Sequence, residues 1–229
     1  MSAARIRLVM GSALALLALL AAPAIAAAQH ALPAASLTGT GLELVSIRAP
    51  DADGLPVRIV LGHDAVRVHA DVWVEASADA AHARLDAART TGTTHGLAPR
   101  TDVPHALAFA DARRAAPRVL VIAASNVVIA LRTASQTDLV ALARHLAAAV
   151  LASTPPTSAA PALPQSLDAS TAIARPADAS AFLVRCEGAC SARRTPTGFL
   201  VARAGTGSAT LAIDVVDAYL RVAHITQRY

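Results

Sequence analysis

Two cysteines, Cys186 and Cys190, carry the most definite chemistry in the chain, and only Glu187-Gly188-Ala189 separates them. An even pair in an exported protein points to a disulfide. If Cys186 ends one strand and Cys190 begins the return of a hairpin, their Cα atoms come within bridging distance. Thiolates so spaced also suit a soft metal or redox exchange. The spacing is not C-x-x-C, however, and no strand–helix unit of the thioredoxin kind follows. A second group lies on residues 65–76, where Arg67, His69, Asp71, Trp73 and Glu75 alternate with Val66, Val68, Ala70, Val72 and Val74. The alternation predicts a half-buried antiparallel strand. Trp73, the one tryptophan, then stands on the polar face with Arg67 and His69, and these three form the candidate binding patch. His69 and Asp71, about 7 Å apart, would supply two metal ligands and need a third from His95 or His105. His63 shares their parity but lies about 20 Å from His69. A solvated polar face accounts for the same pattern, so neither a metal nor a cofactor is expected.

Other catalytic patterns are weaker. The chain has no G-x-S-x-G elbow. Gly205-Thr206-Gly207-Ser208 joins two predicted strands, so it reads as a turn and not as a phosphate cradle. Asp214 and Asp217 fall on opposite faces of a strand and do not read as an acid/base pair.

The elements that must position these groups follow from composition and periodicity. Of 229 residues 59 are alanine, aromatics make up 3%, and all 20 basic residues are arginine. Such a chain folds on Ala, Val and Leu and has few large anchors for ligands. Residues 1–28 read as an export signal: Arg5 and Arg7, an apolar run from Leu8 to Leu20, Pro23, then Ala26 and Ala28 before Gln29. Nothing later is apolar for long enough to span a membrane. The acids are scattered among the arginines with no basic stripe interleaved with aromatics, which argues against nucleic acid as a partner.

The expected fold is α+β: an antiparallel sheet covered by two helices over 38–152, followed by a small mostly-β C-terminal domain over 180–229. Residues 153–179, with Pro155, Pro156, Pro161, Pro164 and Pro176, read as a Pro/Ala/Ser-rich linker. In the first domain 57–61 and 65–76 are strands, and Ser77 caps a helix over 78–90. Residues 118–123 and 127–132, apolar on both faces, form a central hairpin about Ala124-Ser125-Asn126. A helix follows from Ala134-Ser135, with Asp138 as its capping-box acid. Strand, strand, Ala-Ser and helix thus occur twice, from a duplication or from ordinary α+β grammar. In the tail 181–186, 197–203 and 208–214 are strands, and 215–225, which also carries a helical stripe, is assigned to strand. About 50 residues make a marginal core. The tail must therefore pack on the first domain or depend on its disulfide.

The run 105–151, from an alanine-rich strand through Val-Leu-Val-Ile and Asn126-Val127-Val128-Ile129 to a closing amphipathic helix, resembles the second half of exported α+β domains of the PsbP/Mog1-like kind. That resemblance implies a non-catalytic assembly, binding or sensing module. With no catalytic constellation, few aromatics and a two-part layout joined by a spacer, the expected function is an exported, non-enzymatic envelope protein that binds an envelope protein or a small ligand. The alternative is a secreted hydrolase or metal-dependent enzyme built on His69, Asp71 and a further histidine.

Overall fold

The computed structural model describes residues 30–38, 40–52, 54–93, 97–100, 106–109, 118–156, 162–167 and 170–229. The described chain is mostly β, with two helices and three antiparallel sheets. Strands β1 (Glu43–Arg48), β2 (Val57–His63), β3 (Val66–Val74), β4 (Leu97–Arg100), β5 (Ala106–Phe109), β6 (Val119–Ala124) and β7 (Val127–Thr133) form one seven-stranded sheet in the order β1-β2-β3-β7-β6-β5-β4. Helices α1 (Ala78–Thr93) and α2 (Leu139–Leu151) both pack on the β6–β7 pair, from opposite faces. This placement explains the double apolar pattern of those strands. Leu120, Ile122, Ile129 and Leu131 share a core with the α2 stripe Leu139, Leu142, Ala143, Leu146 and Val150. Val121, Ala123 and Val128 pack with Ala81 and Leu85 of α1. Because both helices sit on one strand pair, the two strand–strand–helix runs are not arranged equivalently.

The helix starts show local chemistry at work. Ser77 Oγ accepts from Ala80 N at 3.1 Å, as its position before α1 predicts. The expected start of α2 at Ala134-Ser135 is corrected. Asp138 is itself the N-cap, accepting from Val140 N and Ala141 N. The hydroxyls of Thr133, Ser135 and Thr137 hydrogen-bond in a chain just before it, which offers the backbone an alternative to helix there.

The C-terminal unit contains β8 (Thr171–Ala174), β9 (Ala181–Gly188), β10 (Cys190–Thr195), β11 (Gly198–Arg203), β12 (Ala209–Val216) and β13 (Val222–Arg228). They make two three-stranded antiparallel sheets, β10-β11-β8 and β13-β12-β9, around Ile173, Val184, Val201, Leu211 and Ile213. The expected linker over 153–179 is corrected at its second half. β8 pairs with β11, and Leu163, Leu167 and Ile173 pack into the tail's core. No proline lies between Pro164 and Pro176, so the chain there is free to enter a ladder. The expected cysteine hairpin is corrected too. β9 pairs with β12 and β10 with β11, so Gly188 turns a corner between two sheets. Its φ is +78°, and a Cβ there would lie 2.4 Å from the Ser208 carbonyl oxygen. Residues 215–225 divide into strand, turn and strand. Asp217 Oδ1 accepts from Tyr219 N and Arg221 N and closes the turn that the sequence pattern hid.

The two units share a core: Ala181, Val216 and Leu220 of the tail belong to the same buried cluster as Val57, Ile59 and Leu131. The segment that follows the expected leader joins both. Ala31 and Leu32 are fully buried, and His30 N donates to Asn126 Oδ1 at 2.8 Å. Ala31 N donates to Ser153 Oγ at 3.0 Å, and Ala34 N to the Ala218 carbonyl at 2.7 Å. The expected leader, residues 1–28, lies outside the described residues; among the described residues no helix is long and apolar enough to cross a membrane.

Candidate functional site

The β3 register separates the expected patch. Arg67, His69, Asp71 and Trp73 alternate along one face, but six residues of strand put Arg67 about 20 Å from Trp73. Arg67 is exposed and folds back onto its own turn, with Nη1 2.7 Å from the Asp64 carbonyl. His69 is exposed and lies opposite Val60 and Arg132. The Asp71 carboxylate is taken by Arg132. Among the described residues no group of three or more His, Cys, Asp and Glu is arranged to hold a metal ion. His95 and His105 lie outside them.

Trp73 is placed differently. It is half-buried beside α1, donates from Nε1 to the Gly54 carbonyl at 3.2 Å, and carries the Arg84 guanidinium 5.1 Å from its ring centroid. Glu75 fixes that arginine by accepting from Nε. Trp73 faces a cleft of about 200 Å³ at the seam between the two units, and its far wall includes Leu220, Val222 and His224 of the tail.

Behind His224 is a charge network that sequence reasoning missed. Ala209 and Tyr229 exchange both backbone hydrogen bonds, and Asp217 N donates to the Arg221 carbonyl. By alternation Asp214 and His224 are therefore a non-hydrogen-bonded pair, the kind that brings side chains closest. Asp214, 2% exposed, accepts from His224 Nδ1 at 2.6 Å and from Arg185 Nη2 at 2.7 Å. The carboxylate assigns the ring proton to Nδ1. Nε2 lies 2.9 Å from Thr226 Oγ1. The available signal was the register. Asp214 lies between Ile213 and Val215 in a strand buried on both faces, where an acid needs partners.

A second, larger cleft of about 400 Å³ lies on the same seam. Arg48 and Arg58 come from the first unit, and Arg175 and Arg194 from the second; Phe182 and Phe199 meet edge-to-face in its wall, ring centroids 5.7 Å apart. Arg48 and Arg58 are direct cross-strand neighbours, and like charges so placed repel. Asp51 is the one acid in the lining. The disulfide Cys186–Cys190, Cα atoms 5.8 Å apart, closes the corner from which β9 runs to this cleft and β10 returns to it.

No protein-family model, curated protein or solved structure matches the chain. The resemblance of 105–151 to PsbP/Mog1-like domains thus carries no family assignment.

Proposed function

We propose that the protein is an exported, non-enzymatic module of the cell envelope that binds a ligand or partner along the seam between its two units. One observation carries this reading. Both seam clefts are lined by side chains from both units, which a shared core holds in place. Clefts between units are preferred ligand sites because two rigid walls meet there. The disulfide is compatible with an oxidising compartment. The carboxylates that chemistry would need are occupied structurally: Asp71 by Arg132, Asp214 by Arg185, Asp217 by Arg221. Binding is tested by native mass spectrometry of the mature protein after incubation with an envelope extract. The expected result is a one-to-one adduct that Trp73→Ala or Phe182→Ala removes, an effect of about 2 kcal/mol. No adduct, or one that survives both substitutions, overturns the reading.

A second reading, hydrolytic, draws on one observation: Thr226, His224 and Asp214 stand in the order nucleophile, base and orienting acid. It moves the alternative away from His69 and Asp71, since Asp71 is held by Arg132. A fluorophosphonate probe that labels Thr226, and fails on Thr226→Val, favours hydrolysis. Absence of label on the folded wild type removes it.

A further inference from the structure

We propose that the larger seam cleft takes a small organic dianion, with two acidic groups carried on an apolar or aromatic body. This rests on the binding reading above and narrows it to one ligand chemistry. Among the described residues Arg48, Arg58 and Arg194 make no ion pair, in contrast to Arg84, Arg132, Arg185 and Arg221, each of which holds a carboxylate. Arg48 and Arg58 stand directly opposite each other, an arrangement that costs stability unless an anion bridges it. Asp71 lies opposite Arg58 on the other side but is engaged by Arg132.

The two walls are charged alike. The first unit contributes Arg48 and Arg58 to the lining and the second Arg175 and Arg194, so both walls carry arginines that can meet an acidic group. Guanidinium groups bind carboxylates and phosphates through paired N–H donors, with more directional demand than an ammonium makes. Arg175 is already positioned: its Nη2 donates to the carbonyls of Ala179 and Ser180. Asp51 offsets one of the four charges and leaves an excess of three. In the second unit's wall the Phe182–Phe199 pair offers aromatic surface. The volume suits a small organic molecule and is too large for a lone inorganic anion to fill.

Titration calorimetry on the full mature protein tests this with terephthalate as the dianion, benzoate as the monoanion of the same ring, inorganic phosphate, and phosphatidylglycerol vesicles. Terephthalate is expected to bind at least about tenfold tighter than benzoate or phosphate. Arg58→Gln and Arg194→Gln, one on each wall, should each weaken it by about tenfold. Arg203→Gln, a control whose guanidinium binds the Gly205 and Gly207 carbonyls, should leave it unchanged. Arg58→Gln should melt no lower than the wild type, because it removes a like-charge pair; this separates lost binding from lost fold. Equal affinity for benzoate or phosphate overturns the proposal in favour of a generic cationic surface. Binding to vesicles alone overturns it in favour of a lipid surface. If no probe binds while the envelope adduct persists, the dianion proposal fails and the binding reading stands. If both are absent, both fall.

Discussion

The two units solve the problem of an interior differently. The seven-stranded sheet buries aliphatic side chains on both faces of β6 and β7 and closes over them with two helices. The tail buries a smaller apolar set and adds a disulfide and two acids, Asp214 and Asp217, which are 2% and 6% exposed. Each acid is neutralised by an arginine that reaches back across the fold: Arg185 also donates to the Asp51 carbonyl, and Arg221 to the Pro156 carbonyl. A unit this small has only a marginal apolar core of its own. This one compensates with a covalent staple, paired charges and a share in its neighbour's core.

The largest effect that sharpens this contrast comes from the first unit. Ile129→Ala, at a fully buried site beneath α2, should cost about 3–4 kcal/mol. Because Val216 and Leu220 belong to the same cluster, the tail should lose protection together with the sheet in a hydrogen-exchange experiment. Asp214→Ala comes next. It strands Arg185 and His224, half-buried partners, and should cost about 2–3 kcal/mol, with exchange accelerated first in β12 and β13. Denaturant titration of both variants gives the order; a milder Ile129→Ala would mean that the tail, and not the sheet, limits stability.

Smaller effects probe the tail alone. Replacing Cys186 and Cys190 by serine should cost about 2 kcal/mol, because the closed loop is short. Limited proteolysis should then begin within 180–229 while the sheet resists. Early cuts within 57–72 would make the staple a support of the whole molecule. The smallest effect concerns Tyr229, whose hydroxyl donates to the Pro164 carbonyl at 2.7 Å and whose pKa burial raises above the ordinary phenol value. The neutral form is favoured by folding, so this contribution is complete below the ordinary pKa near 10 and is lost as pH rises through the higher folded value. Tyr229→Phe should flatten the alkaline limb of the stability profile; an unchanged limb would remove Tyr229 from the account.

The sheet was legible wherever a strand has one wet face or lies between two helices. The alternation over 65–76 and the apolar pair 118–123 and 127–132 fall on β3, β6 and β7 to within two residues at each end. β1 was not legible, since its Glu-Leu-Val-Ser-Ile-Arg sits at an edge with an irregular register and exposed Leu44 and Val45. β8 was hidden by the prolines around it, and the cysteine corner by a short spacing that suits a hairpin equally well. Of the candidate site, Trp73 was visible as the single tryptophan on a polar face. The charge network and the arginine cleft were not, because their members lie far apart in the chain: Arg185 with Asp214 and His224, Arg48 and Arg58 with Arg175 and Arg194. Pairing across sheets and across the seam, and not local pattern, brings them together.

The binding reading depends on a fixed seam, since clefts walled by two units are sites only if the units move as one. Differential scanning calorimetry of the oxidised chain tests this directly. The shared core predicts a single transition with equal calorimetric and van't Hoff enthalpies. Two separable transitions, with the tail melting before the sheet, would show that the seam opens independently and would contradict the account.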